Sequence, residues 1–584
     1  MNKIIPFSSR LQSASLREGD VIELRDFSPF AKEKQSDSSF AWNTVKYRLL
    51  DSTPGKMLRV NERMPFTQDT RYDEIDFSAK SMPDVIEIKI PFSGTFRISA
   101  GFPVLDEEIG GVDLSLDEEG FVCVMPEYGG RYGRMIGLER GREYFVFWKN
   151  AVLNNSVIKI RVPFGTFAAD TLCVNAALSC LRFERLADNA CLSPVQGKAD
   201  KTLIVVEDGF SPYALYGIPN ESFDLRLNRA YKDCDVRIFM SQIMGPTLWK
   251  SDVNSYFGQE LTPEHYKEKR ICDVRAVKYI RDSIENNYDV FRVQTEACHK
   301  TGAEMHFSIR ANLYFPESTQ YLSGNDYVNG RFWHEHPELR LPDSCQLDYG
   351  KKEVRDFYLS LFREALENFD VDGINLDLTR WPKCLDSKYH SPDILIDFCR
   401  EMRELADTYG KIRGKHIKVS LLLVEYYHSR CTLDEQAVDF EGLCSSGTLD
   451  FVCLETNRIS NFAPTAHKYG VEIYGIVDTE SPYFNNNSDD PLWTLPDGSV
   501  TDDPCAGSEF EAQKLVPTKP APFEQVRLMD AYYKNGADGI AKINEFLGAL
   551  YLRDCGHSKD VAQHAKEEGI FGQTAGDYIF VTDR

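Results

Sequence analysis

Phe369-Asp-Val-Asp-Gly-Ile-Asn-Leu-Asp-Leu-Thr-Arg-Trp-Pro382 is the stretch whose reading decides the fold. Before it, Val354, Phe357, Tyr358, Leu361, Phe362 and Ala365 recur at three- and four-residue spacing, the period of an amphipathic helix. The run then becomes a short apolar strand with polar residues of one parity. Alternate side chains of a strand share a face, so Ile374, Leu376 and Leu378 point one way and Gly373, Asn375 and Asp377 the other. The apolar set suits a layer of covering helices, and the polar set suits the inside of a parallel barrel. Asp377 falls at the C-terminal end of the strand, where barrel enzymes place their chemistry. Asp372 stands at the strand entrance with opposite parity and reads as a structural turn residue.

Working outward, short apolar strands alternate with amphipathic helices from about residue 200 onward, the signature of βα units and a parallel sheet. Eight strands are expected: Thr202–Val206, Val236–Ser241, Glu304–Arg310, Asp372–Leu378, Ile417–Val424, Asp450–Glu455, Glu472–Val477 and Asp538–Ile543. Helices are expected over Glu353–Glu367, Pro392–Tyr409, Leu433–Cys444 and Phe523–Asn535. Residues 1–195 differ in character. Runs such as Val85–Ile90, Thr95–Ala100, Tyr144–Trp148 and Val157–Val162 are rich in β-branched and aromatic residues and are separated by Gly, Pro, Asn and Asp. The expected architecture is a multidomain chain: an all-β sandwich of one or two sheets over 1–195, ending near Ser179–Leu186, then a (β/α)8 TIM barrel over 196–584.

Composition narrows the function. A chain of 584 residues, 42% hydrophobic and 27% charged, is globular and too long for one core. A net charge of -23 argues against a nucleic-acid partner, whose phosphates demand clustered Lys and Arg. No run of about 18 apolar residues exists to span a membrane. No secretory signal is evident, so a cytoplasmic location is expected, with a mature secreted form left open. The 15 cysteines include no C-x-x-C pair, and Cys173, Cys180, Cys399 and Cys453 lie in apolar runs, as buried reduced thiols do. P-loop, dinucleotide and Gly-x-Ser-x-Gly fingerprints are absent, so no cofactor is expected. His334-x-His336 lacks a third ligand at a recognisable spacing, so no metal is expected either.

The chemistry concentrates on one rim. Long connections follow strands at 242–274, 312–352 and 479–521, whereas those before strands are short. In a parallel barrel these long loops share the C-terminal face with Asp377. Acids stand at several strand ends: Asp377, Glu425, Glu455, Asp478, Glu480 and Glu545. Glu425 shares parity with Leu421 and Leu423, and Glu455 with Phe451 and Cys453; both are expected over the barrel mouth. Cleaving a glycosidic bond takes two carboxyl groups, one protonating the leaving oxygen and one acting as nucleophile or activating water. The competing reading is that strand-end acids cap helices or pair with Arg. On the third strand His306, Ser308 and Arg310, continued by Asn312, form a polar face able to bind sugar hydroxyls or hold a carboxylate. Aromatics including Trp249, Tyr314, Trp333, Trp381, Tyr426 and Tyr427 crowd the loops, where sugar rings could stack.

The segment from Val371 to Pro382 resembles the fourth barrel strand of bacterial glycosyl-hydrolase-like proteins related to family 10 glycosidases. That strand reads Asp-Gly-Ile-x-x-Asp-x-x-Arg-x-Pro, and Asp372, Gly373, Ile374, Asp377, Arg380 and Pro382 match it. Phe332-Trp333-x-x-His336-Pro337-Glu338-Leu339-Arg340 is similar to the same group's pre-helical segment, and the likeness spans roughly 200–545. Those relatives commonly carry a polar or aromatic residue where Glu455 stands. The resemblance implies a TIM barrel with glycosidase activity and Asp377 in its catalytic centre. The expectation is therefore a glycoside hydrolase with a carbohydrate substrate. Asp377 is one essential carboxylate, and Glu455, or else Glu425, is its partner. Arg310, Asn312, Asn375 and Arg380 orient groups, Trp333, Trp381, Tyr426 and Tyr427 line the cleft, and Asp478 stands in reserve. A non-catalytic glycan-binding protein and a metal-dependent barrel lyase or isomerase remain open, as does a homo-oligomer.

Overall fold

The computed structural model describes residues 3–8, 11, 16–31, 42–65, 84–103, 105, 111–118, 121–124, 141–162, 166–168, 171–190, 199–209, 235–259, 271–311, 314, 329–342, 344–379, 385–425, 432–456, 458–477, 493–494, 500–501, 521–543, 555–564 and 579–581. Eight strands close a barrel: Thr202–Glu207, Val236–Ile243, Glu304–Arg310, Gly373–Asp377, Lys418–Val424, Phe451–Glu455, Glu472–Val477 and Gly539–Ile543. Every neighbouring pair is parallel, and the first strand pairs with the eighth from Thr202↔Gly539 to Val206↔Ile543. Among the described residues the N-terminal part is β, in three sheets of six, four and four strands rather than one or two. The six-stranded sheet takes in Cys180–Arg185 and also Ile579–Val581, which pairs antiparallel with Tyr144–Val146. Among the described residues, no helix is long and apolar enough to cross a membrane.

Parity sorts the barrel side chains as the fourth strand's pattern requires. Ile374, Leu376 and Leu378 join the main apolar core with the helices, along with Phe307, Ile309, Leu421 and Leu423. A second apolar group, including Ile204, Val206, Met240, Leu422, Cys453 and Ile476, fills part of the barrel interior. The rest of the interior is polar. Gln242, Ser308, Asn375 and Ser420 stand at one register level on four successive strands. The Ser308 hydroxyl donates to Asn375 Oδ1 at 2.7 Å, and Asn375 Nδ2 donates to Ser420 Oγ at 2.8 Å. Below this belt lies the His306 ring. Strand four can pass it only because residue 373 is glycine: a Cβ there would stand 2.5 Å from the imidazole.

Asp372 is a structural clamp at the opposite end of the barrel from Asp377. Its Oδ2 accepts from the Met305 N–H at 2.9 Å and faces His299 Nε2 at 2.8 Å, while Oδ1 accepts from Lys415 Nζ at 2.7 Å. Burial pushes its pKa up, but the hydrogen bonds from Lys415, Met305 and His299 outweigh burial and hold it below the ordinary value. Asp372→Ala is expected to cost about 2 kcal/mol, the scale of hydrogen bonds to a charged group, read from the urea midpoint. A depressed folded pKa gives a contribution that is complete above the unfolded value of about 3.9 and is lost as pH falls through the folded value. The difference between wild type and variant should therefore be level above about pH 5 and shrink below about pH 4. A difference that grew on acidification would remove the carboxylate from this role.

One helix differs from expectation. Leu433–Cys444 is not continuous: residues 433–437 form turns, and the helix runs Phe440–Ser445. Ala437 adopts a left-handed φ of 53°, which ends the first turn, and Asp439 caps the new helix by accepting from the Gly442 N–H.

Candidate active site

The C-terminal mouth of the barrel gathers the polar groups. Asp377 ends strand four on the inner face and is fully buried. Arg310 lies directly across in register and donates from Nε to Asp377 Oδ2 at 3.0 Å. Gln242 Nε2 reaches the same oxygen at 2.5 Å. The other oxygen, Oδ1, accepts the backbone N–H of Thr379 at 2.7 Å. All three partners are donors, so the carboxylate is held purely as an acceptor. Oδ2 is clamped by two side chains, and Oδ1 accepts one hydrogen bond among the described residues, which leaves it a lone pair. Arg310 is itself buried, and its Nη donors have no partner among the described residues.

The two candidate partner acids are placed differently. Glu455 ends strand six with the parity of Phe451 and Cys453, which face the barrel interior. Register puts Asp377 level with Leu422 and Cys453, so Glu455 stands one side-chain layer nearer the mouth, about 6.6 Å further along its strand. Glu425 follows strand five with the parity of Leu421 and Leu423, which face the helices. It therefore leaves the interior line and turns to the next loop, where Oε2 accepts from Thr456 Oγ at 2.9 Å and Oε1 lies 3.6 Å from Arg458. The shared placement of both acids over the mouth, expected from the sequence, thus divides into one inner and one outer position.

Glu425 holds a proton more tightly than an ordinary glutamic acid. Burial is the largest cause and the Asp434 charge adds to it, against the Thr456 hydrogen bond and Arg458. For a carboxyl whose folded pKa is raised, stability is complete below the unfolded value of about 4.3 and falls as pH rises through the folded value. Glu425→Gln keeps an acceptor for Thr456 and removes that charge. The variant is expected to gain stability over wild type as pH rises above about 4 and through the raised folded value, measured by thermal unfolding across pH. A parallel pair of profiles would show that Glu425 is not the titrating group.

Asn375 sits in the buried polar belt beneath Asp377, bonded to Ser308 and Ser420. Trp333 is enclosed. Its indole N–H donates to the Cys345 carbonyl at 2.7 Å, the Arg340 guanidinium lies 3.4 Å above the ring, and Tyr314 stacks nearby. At 1% exposure it leaves no ring face for a ligand. Trp249 is likewise buried, packed on Phe291, Phe307 and Phe369 and donating to Glu364. Asn312, Arg380, Trp381, Tyr426, Tyr427 and Asp478 lie outside the described residues, as do Glu480 and Glu545. His336 pairs with Glu338 at 3.1 Å. Among the described residues, no group of three or more His, Cys, Asp or Glu is placed to hold a metal, and seven cysteines are reduced thiols, six of them buried.

Two residues of the mouth escaped the sequence reading. Gln242 was visible only as one of several polar groups at the exit of strand two, yet it is a direct partner of Asp377. Asp208 follows the first strand with the inward parity of Ile204 and Val206 and is buried. Gly209 after it takes a φ of 69°, and a Cβ there would stand 2.1 Å from the Gln242 carbonyl oxygen. Strand one and strand two are thereby locked together beside Asp377. The available signal was Glu207-Asp208-Gly209 closing an apolar run, the same acid-at-strand-end pattern seen elsewhere.

No family model matches the chain. A stretch of 143 residues is 30% identical to the 1,4-alpha-glucan branching enzyme GlgB of Rhodospirillum rubrum, covering 22% of this chain and 18% of that enzyme. The chain thus spans less than a fifth of the length of that curated relative. Among solved structures, it is similar to a glycoside hydrolase family 18 N-acetylglucosaminidase from Paenibacillus barengoltzii (11% identity, 61% of this chain and 99% of that one, TM-score 0.32). It is also similar to an alpha-amylase from Lactobacillus plantarum (13%, 48% and 63%, TM-score 0.28). A third is the family 36 alpha-galactosidase AgaA from Geobacillus stearothermophilus (10%, 90% and 67%, TM-score 0.30). These names belong to glycan-active enzymes of several families, none of them family 10.

Proposed function

We propose that the chain is a glycoside hydrolase whose reaction takes place at the C-terminal mouth of the barrel. The observation that carries this reading is the held carboxylate of Asp377: inner face, strand end, one oxygen clamped by Arg310 and Gln242, the other keeping a lone pair. In this reading Oδ1 faces the anomeric carbon, as nucleophile or as the charge that stabilises an oxocarbenium-like transition state. Glu455, on the inner line nearer the mouth, is the partner that protonates the leaving oxygen. Arg310 supports the reaction twice, fixing Oδ2 and offering its Nη donors to a sugar hydroxyl. Enclosure keeps water from Asp377 and strengthens its field at developing positive charge. Its consequence is that a sugar ring must part the mouth residues to reach Oδ1.

The testing experiment is product release from a panel of oligosaccharides, polysaccharides and aryl glycosides, with α-glucans as the first arm because of the stretch shared with the branching enzyme. Cleavage of any member that depends on Asp377 supports the reading. A panel with no product from the wild type overturns it.

A further inference from the structure

A cavity lies in the N-terminal β region, far along the chain from the barrel acids. It has a volume of about 740 Å³ and is lined chiefly by Arg25, Asp26, Lys46, Tyr47, Arg48 and Lys56. That volume is of the size that takes a small ligand such as one or two sugar rings. Its lining carries four cations and one carboxylate on a chain whose net charge is -23.

The cations are not equally satisfied. Arg25 is held by Glu23 at 2.6 Å and Glu143 at 2.8 Å, and Lys56 by Asp26 at 3.1 Å. Lys46 has no hydrogen-bond or ion-pair partner among the described residues, and Arg48 reaches only the Ser52 carbonyl, at 3.4 Å. Register makes this unfavourable. Strand Asn43–Arg48 pairs antiparallel with Pro54–Pro65, and Lys46 stands directly opposite Lys56. Like charges facing each other across a strand pair repel. Arg48, two residues on, adds a third cation to the same face.

Asn43–Arg48 is the edge strand of its sheet, and cations on an edge discourage strand addition. That accounts for Lys46 and Arg48. It does not account for Lys56 on the inner strand, for Arg25 arriving from another sheet, or for the concavity they enclose. An oxyanion between Lys46, Arg48 and Lys56 converts the repulsion into three charge-assisted contacts.

We propose that this cavity binds an acidic saccharide, its carboxylate or sulfate group seated between Lys46, Arg48 and Lys56. The choice of a saccharide among anions rests on the glycan reading of the barrel; the cation geometry does not. The test is affinity electrophoresis of the full chain through gels containing polygalacturonate, dextran sulfate, neutral dextran or oligo-dT, beside the Lys46→Ala/Arg48→Ala and Asp377→Asn variants. Retardation of the wild type is expected in polygalacturonate or dextran sulfate at about 0.05 M salt, fading by about 0.5 M, and not in neutral dextran. The two acidic polymers separate carboxylate from sulfate recognition. The double variant should bind roughly tenfold or more weakly; both of its side chains are exposed, so folding is preserved. Asp377→Asn should bind as wild type does, and loss of retardation in the Lys46→Ala/Arg48→Ala variant alone assigns the binding to this cavity, even if the barrel cleaves nothing. Equal retardation of wild type and the double variant overturns the proposal, as does equal retardation in neutral dextran. Stronger retention by oligo-dT than by either saccharide also overturns it and assigns the cavity to nucleic acid.

Discussion

Asp377→Asn is expected to lower the rate of product release at least about 100-fold, the scale of losing a group that acts directly in the chemical step. The substitution is nearly isosteric, so shape is kept and charge is removed. With the introduced amide oxygen in the place of Oδ2, it still accepts from both Arg310 and Gln242, and the contact given up is the Thr379 N–H, which then faces the introduced amide nitrogen. The loss of rate then reports charge and nucleophilicity rather than collapse, provided far-ultraviolet circular dichroism matches wild type. Glu455→Gln in the same assay separates the roles. If Glu455 delivers the proton, its loss should weigh on unactivated sugar linkages and spare aryl glycosides with acidic phenols, which leave without help. Loss of Asp377 should weigh on both. Equal rates for wild type and Asp377→Asn would make the carboxylate a structural partner of Arg310 and move the chemistry to other residues.

How much of this was legible depended on whether one strand could be read by itself. Strand four announces its two faces because its outer residues are Ile and Leu and its inner ones Gly, Asn and Asp. Strand five, Lys418-Val-Ser-Leu-Leu-Leu-Val424, is nearly uniform, so the side Glu425 follows shows only once Ser420 is seen bonded to Asn375 inside the barrel. Trp333 shows the same limit. An aromatic in a loop segment has the same composition whether it stacks on a sugar or on Arg340, and only the Arg340 placement decides it. The break before Phe440 was hidden because the left-handed Ala437 carries no sequence mark, unlike a glycine or proline. Gln242 was hidden for a different reason. Its importance is relational, created by strand two bringing it level with Ser308 and within reach of Asp377, a register no local pattern encodes.

The same buried pair yields a second large effect, on stability. Arg310→Met is expected to cost about 3–5 kcal/mol, because it leaves the Asp377 carboxylate in the interior with neutral donors only. The reasoning is asymmetric. Forming a buried ion pair is close to break-even, since desolvation offsets attraction, but removing one partner strands the other charge. Asp377 is fully buried and Arg310 nearly so. The double variant Arg310→Met/Asp377→Asn removes both charges, and methionine fills most of the arginine stem's volume. It should recover most of the loss, leaving a coupling energy of about 2 kcal/mol or more by double-mutant cycle. Urea unfolding of the four proteins measures this without reference to any substrate. Additive losses would show that the two groups do not sense each other, despite the 3.0 Å contact, and would take away the clamp on Oδ2. A recovered double variant without activity would instead show that the pair is dispensable for folding, and that its charges are kept for the chemistry at the mouth.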